Sequence, residues 1–188
     1  MNFMDIVLAS GSPRRSEILK QLGIEFRVVV SHEDEDKLTG NPLEFPRKLA
    51  AAKALAVSRM EAGALVLGFD TLVFLDGQPL GKPKDTAAAF AMLKSLNNRT
   101  HKVITGVAIA KDGKLLDASE EETEVIFRNN TDQTLQDYVN SKDPMDKAGA
   151  YGIQTQGARL IHSVKGCFYN VVGLPIAKTL GMLEQLKV

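Results

Sequence analysis

The 188-residue chain is short of several things, and each shortage removes a class of function. It has no charge excess, since 23 lysines and arginines face 23 aspartates and glutamates. A protein that coats a duplex carries a basic surplus, so stable nucleic-acid binding is not expected. Any anion must instead be held by a local group of cations. One cysteine, Cys167, excludes an intramolecular disulfide. The histidines His32, His101 and His162 stand far apart with no metal-ligand spacing, so a structural zinc site is not expected. The longest apolar run, Ala87 to Leu93, has seven residues, against the roughly 20 that cross a bilayer. Met1 to Asp5 lack the basic and apolar segments of a signal peptide. These shortages point to a soluble, cytoplasmic protein with no membrane partner. The 44% hydrophobic content suffices for a core, and the length suits one domain over residues 1–188, with room for two lobes around a cleft.

What is present alternates between strand and helix patterns. Ile6 to Ala9 reads as a buried strand ending in Ser10-Gly11-Ser12-Pro13, where Ser12 and Pro13 suit the start of a helix that Gly23 stops. Phe26 to Val30 reads as a second strand, residues 44–61 as a long helix, and Leu65 to Leu75 as a strand interrupted by a polar pair. A helix is expected over 85–96. Strands over about 101–110 and 115–128 flank the hairpin signal Lys111-Asp112-Gly113-Lys114. A helix over 132–140, a glycine-rich loop over 146–157, short strands and a last helix from about Pro175 complete the chain. The alternation argues for an α/β fold with a mixed sheet flanked by helices.

Several residues break local rules. Arg14 and Arg15 occupy the first turn of a helix, where the dipole disfavours cations by about 0.3–1 kcal/mol each. Together with the Ser10–Ser12 turn and the helix N-terminus they form either a phosphate cradle or a solvated start paired with acids such as Glu17. Asp70 lies inside an apolar run, where a carboxylate needs a cation, hydrogen bonds or a cleft, unless it marks a chain reversal. Lys53 shares a helical stripe with Leu49, Ala56, Val57 and Met60, as a functional cation or a snorkelling side chain. Gly77 to Pro83 is not a P-loop, because three residues separate its glycines and Pro83 replaces the Ser/Thr, yet Lys82 can still meet a phosphate. Glu33-Asp34-Glu35-Asp36 is a solvated loop or a source of oxygen ligands for Mg²⁺. Asp146 to Gln154 is a plain connection or a loop open to close backbone approach, ending in an amide.

Together, Leu8 to Arg15, Leu49 to Ala54, Gly68 to Val73, Gly81-Lys82-Pro83, Asp146 to Gln154 and Asn170 to Pro175 resemble, in order, the motifs of the Maf-type nucleotide pyrophosphatases. The resemblance spans essentially the whole chain. It implies a Maf/inosine-triphosphatase-like fold of two lobes around a central nucleotide-binding cleft. It also implies hydrolysis of a nucleoside triphosphate to monophosphate and pyrophosphate with a divalent cation, Mg²⁺ or Mn²⁺. On this resemblance Asp70 is the proton acceptor, Glu35 the loop carboxylate, and Asp70 with Glu35 the metal ligands. Arg14, Arg15, Lys53 and Lys82 are the phosphate-binding cations beside Ser10 and Ser12. Asp70-Thr71 and the later Ala148 to Gln154 are similar to the branch acting on dTTP and UTP, which places specificity at Arg14, Thr71 and Gln154. Phe69 departs from the family pattern, where a small residue is more usual. The resemblance implies housecleaning of non-standard nucleotides, the family name implies a link to septum formation and cell-division arrest, and a homodimer is compatible with both.

Four cations plus a divalent ion match the roughly four negative charges of a triphosphate. Asp70 can deprotonate water for in-line attack at the α-phosphorus, or hold the cation. Two other readings stay open on sequence, a non-catalytic nucleotide-binding regulator of cell division and a γ-phosphatase.

Overall fold

The computed structural model describes residues 5–31 and 39–186. The main elements are β1 (Ile6–Leu8), α1 (Pro13–Gln21), β2 (Arg27–Val28), α2 (Phe45–Ser58), β3 (Leu65–Leu75), β4 (Gln78–Leu80) and α3 (Thr86–Leu96). They continue with β5 (Thr100–Lys111), β6 (Lys114–Phe127), α4 (Asp132–Asn140), β7 (Ile161–Lys165), α5 (Phe168–Val172) and α6 (Ile176–Gln185). The strands make one seven-stranded sheet in the order β2-β1-β3-β5-β6-β7, with β4 paired to β3. β1 runs parallel to both β2 and β3, whereas β3–β4 and β6–β7 are antiparallel. The expected mixed sheet with flanking helices is therefore observed. No helix among the described residues is long and apolar enough to cross a membrane.

The turns follow from residue type. Asp76-Gly77 and Asp112-Gly113 all have positive φ (51° and 77°, 49° and 73°), the geometry that lets a two-residue turn match strand twist. At the end of α1, Gly23 sits at φ 69° and Ile24 N–H reaches back to Leu19 O at 3.1 Å, closing the helix. Some expectations shift. The strand expected over 26–30 shrinks to Arg27–Val28, and the helix expected to run to 61 ends at Ser58. The glycine-rich segment contains short 3-10 turns at Asp143–Asp146, Ala148–Ala150 and Gln156–Leu160, and α5 stands where only short strands were expected.

The chain divides into two compact units. The first comprises Met1–Asp70, Thr105–Glu121 and Gly173–Val188. Its core joins Ala50, Ala54 and Val57 of α2 to Val7, Val66, Ala108 and Ala110 of the sheet. Two glycines let this helix lie close. A Cβ on Gly68 would stand 2.3 Å from Ala50 O, and one on Gly106 would stand 2.1 Å from Pro46 O. Only a missing side chain permits that approach. The second unit comprises Thr71–Ile104 and Glu122–Val172. It packs Ala89, Leu93 and Leu96 of α3 and Leu135, Tyr138 and Val139 of α4 against Val73, Leu75, Val103, Val125 and Phe127 of the strands.

Candidate active site

In the first unit, Asp70 lies within β3 and is 7% exposed. The reading of Asp70 as a turn residue, and of the strand as interrupted, is overturned because β3 runs unbroken from Leu65 to Leu75. Lys53 does not snorkel outward. Its side chain is 14% exposed and Nζ donates to Asp70 Oδ1 at 2.6 Å. The close seat of α2 over Gly68, two residues before Asp70, brings the lysine within reach. Burying either charge alone would be costly, and the pair offsets that cost.

The N-terminus of α1 gathers the second group. Ser12 is the N-cap residue, but its side chain makes no capping hydrogen bond, and no acid occupies the first turn. The orphan N–H groups of that turn therefore receive no help from a side-chain cap. Ser10 is buried, and its Oγ accepts from Ser12 N–H at 3.3 Å and from Arg15 Nη1 at 2.8 Å. Both lone pairs are thereby used, while the hydroxyl hydrogen keeps its capacity to donate. Arg15 Nε donates to Gly173 O at 2.8 Å, which ties α1 to the turn before α6. The Arg15 guanidinium also lies over the Phe69 ring, 5.8 Å from its centroid, within cation–π range. Phe69 thus serves as a platform for a cation. Arg14 is half-buried on the same turn. Glu35 lies outside the described residues, as does His32.

The model of the Maf-like protein family matches residues 5–186. The chain belongs to the Maf-like family. A dTTP/UTP pyrophosphatase of Symbiobacterium thermophilum is 50% identical over 96% of this chain and 93% of its own length. One from Aquifex aeolicus is 44% identical over 97% and 96%, and one from Acetivibrio thermocellus is 45% identical over 97% and 96%. Among solved structures, a HAM1 protein from Coxiella burnetii superimposes with a TM-score of 0.53 at 18% identity, covering 96% of this chain and 99% of that one. The Ham1 protein of Staphylococcus aureus gives 0.52 at 17%, covering 96% and 98%. Both likenesses concern the fold.

The second unit of this Maf-like chain holds the remaining expected residues. Thr71 follows Asp70 on β3 and is half-buried, and Lys82 is exposed just after β4. Gly149 N–H donates to Gly81 O at 3.0 Å, so the Gly81-Lys82-Pro83 segment and the glycine-rich loop meet. A Cβ on Gly149 would come within 2.8 Å of Val73, which explains the glycine. Gln154 is exposed, and its amide makes no hydrogen bond among the described residues.

Sequence reasoning did not find the polar network beneath this loop. Lys147, 8% exposed, donates to Asp143 O at 2.5 Å, Asp143 Oδ1 at 3.1 Å and Asp146 Oδ1 at 2.7 Å. Its three N–H groups are thus used up. Burial pushes the Asp143 carboxyl up, but hydrogen bonds from Thr155, Tyr138 and Lys147 outweigh it and hold the group below its ordinary range. Nor did the sequence reveal that His101 anchors the loop. Its Nε2 lies 2.8 Å from the Tyr151 hydroxyl, and the ring packs edge-on against Phe127 and Tyr151. Burial pushes His101 down to about 4 and pushes Tyr151 well above the usual phenol range.

Proposed function

We propose that this chain hydrolyses the α–β phosphoanhydride of nucleoside triphosphates, dTTP and UTP above others, as a single enzyme domain over residues 1–188. The products are a nucleoside monophosphate and pyrophosphate. The observation that carries this reading is the Lys53–Asp70 pair, whose carboxylate is buried in the middle of β3 and whose lysine reaches it from α2. A buried carboxylate paired with a lysine there suits chemistry better than fold stability, because burying an ion pair gains little over apolar packing. Near-full-length identity to dTTP/UTP pyrophosphatases supports the same reading.

In this mechanism Asp70 accepts a proton from water as the water oxygen bonds to the α-phosphorus. The bond from that phosphorus to the bridging oxygen breaks in line, and its electrons leave with pyrophosphate. Lys53 fixes the Asp70 carboxylate through the 2.6 Å hydrogen bond. Arg14, Arg15, Ser10, Ser12 and the α1 N-terminus bind phosphate oxygens, as does Lys82. Thr71 and Gln154, with Arg14, discriminate the base, and the Gln154 amide offers the donor and acceptor that the imide edge of thymine or uracil requires.

A divalent cation, Mg²⁺ or Mn²⁺, fits the donor chemistry. Such ions take one or two carboxylates and complete their shell with substrate phosphates and water. Asp70 is one hard oxygen donor, and Glu35 would be the second. Among the described residues no group of three or more His, Cys, Asp or Glu side chains forms an all-protein cage. When bound, the ion would neutralise charge on the phosphate oxygens.

The test is the product and its dependence on base. Incubation with dTTP, UTP, CTP, GTP and ATP should release pyrophosphate, fastest from dTTP and UTP. Orthophosphate would instead mark a γ-phosphatase, and no product would mark a nucleotide-binding regulator. Gln154→Ala should narrow the preference by about 1–3 kcal/mol without abolishing turnover. An unchanged ranking in that folded variant removes Gln154 from base recognition.

A further inference from the structure

The segment Gly152 to Thr155 is fastened at both ends and open in the middle. At one end, Gly152 N–H donates to the Tyr138 hydroxyl at 3.0 Å. At the other, the Thr155 hydroxyl lies 2.5 Å from Asp143 Oδ2 and 3.2 Å from Gly152 O. A hydroxyl has one hydrogen, and the shorter, charged acceptor takes it. The Tyr138 hydroxyl donates to the same Asp143 Oδ2 at 2.7 Å. One carboxylate oxygen therefore closes a ring through Tyr138, Gly152 and Thr155, while Lys147 holds the other oxygen. A second Thr155 contact, N–H to Gly152 O at 3.4 Å, makes the segment a tight turn.

The turn runs from half-buried Gly152 and Ile153 to exposed Gln154 and Thr155. The segment is preceded by Ala150 at φ 61° and Gly149 at φ 67°. An alanine held in the left-handed region costs about 1–2 kcal/mol and persists only where its surroundings impose it. Between the two fastened ends stand Ile153 and Gln154. The Gln154 amide takes no part in the ring, so the ring sets where the Gln154 backbone lies while leaving its side chain for a ligand.

We propose that Thr155 and Asp143 are positioning residues for base discrimination, acting through Gln154. This rests on the assignment of base reading to Gln154 made above. A rigid turn holds an amide at one distance and angle, and that separates a matching imide edge from a cytosine edge. A loose turn would let the same amide adapt to either base, lowering selectivity while chemistry at the phosphates continues.

Thr155→Val keeps the shape and deletes the hydroxyl at an exposed position, so folding should survive. The experiment measures kcat and KM for UTP and CTP in the wild type, Thr155→Val, Thr155→Ser, Tyr138→Phe, Gln154→Ala and the Gln154→Ala/Thr155→Val double variant. Thr155→Val should lower the UTP-to-CTP ratio of kcat/KM about tenfold, through a raised KM for UTP with kcat nearly unchanged. Thr155→Ser should restore the ratio, and Tyr138→Phe should reproduce part of the loss. In the Gln154→Ala background Thr155→Val should change the ratio no further.

If Gln154→Ala leaves the ratio intact, the base-reading assignment itself falls. If Gln154→Ala collapses the ratio, three results each overturn the positioning role alone. These are an unchanged ratio in Thr155→Val, an equal loss on both substrates, or a Thr155→Val effect that persists in full beside Gln154→Ala.

Discussion

Each unit of the molecule buries one lysine against a carboxylate, and the two pairs differ in what surrounds them. Lys53 reaches from a helix to an acid in the middle of a strand. Lys147 meets three oxygens from residues one and four positions away, in an irregular segment. The Lys147 ammonium is saturated by its neighbours, and its carboxylate partner is tied to Tyr138 and Thr155. Such a network fixes a loop. The Lys53–Asp70 contact fixes no loop and joins a helix and a strand already brought close at Gly68. The first unit thus carries the Lys53–Asp70 pair and the braced Arg15 turn, and the second carries a network that braces the loop holding Gln154.

The sharpest break of that contrast is Asp70→Asn. The amide keeps the shape and should fold, but it cannot accept a proton from water, so turnover should fall by about 10²–10⁴-fold. Near-normal turnover would remove Asp70 from the reaction.

The second unit is tested by pH and unfolding rather than by turnover. His101 has its folded-state value lowered from 6.5 to about 4. Between those values the unfolded chain binds a proton that the folded chain refuses, so stability falls as pH drops from 6.5 and levels off below about 4. The full loss is about 3 kcal/mol. Urea unfolding of wild type and His101→Gln across that window should show the steeper slope in the wild type. The Asp143 carboxyl, held below its ordinary 3.8, contributes stability that is lost only at pH values under that window.

Arg15 and Lys82 then compare a braced cation with an exposed one. Each alanine variant should weaken substrate binding or turnover about tenfold to a hundredfold, the worth of a charge-assisted hydrogen bond. Arg15→Ala should also lower the thermal midpoint, because it releases Ser10 and Gly173. Lys82→Ala should leave the midpoint where it was. Equal midpoints for both variants would show that the Arg15 bonds do not brace the turn.

Gly68→Ala addresses how the first unit brings its pair together. The added methyl would meet Ala50 O, a backbone atom that cannot swing aside, and should cost about 1–3 kcal/mol of stability. Displacing α2 should lengthen the Lys53–Asp70 contact, so the folded fraction should also turn over more slowly. Unchanged activity per folded molecule would separate the helix approach from the chemistry.

Local rules carried the element list far. Asp112-Gly113, the helices over 85–96 and 132–140 and the Pro13 helix start are read from neighbouring residues, and the structure places them within a few positions. Asp70 was conspicuous because an acid in an apolar run breaks a rule. Its setting inside an unbroken strand was not legible, because a polar pair looks like a turn until the partner strands are known. Lys53 was ambiguous for a related reason: alanines on every side of α2 hide which face is buried. The ring around Asp143 was invisible because Tyr138 on α4, Asp143 in the turn after it and the Gly152 to Thr155 segment share no spacing that marks a contact.

By itself the sequence determined the alternation of strands and helices, the two Asp-Gly turns and the unusual placement of two arginines and one aspartate, because these depend on backbone preferences and charge within a few residues. The tertiary structure decided that Lys53 reaches Asp70, that Arg15 bonds Ser10 and Gly173 over Phe69, and that one carboxylate oxygen holds both ends of the Gln154 turn. Lys53–Asp70 and Arg15–Gly173 join residues 17 and 158 positions apart, and the ring at Asp143 gathers several residues at once. Such meetings depend on packing constraints like the side chains that Gly68 and Gly106 lack.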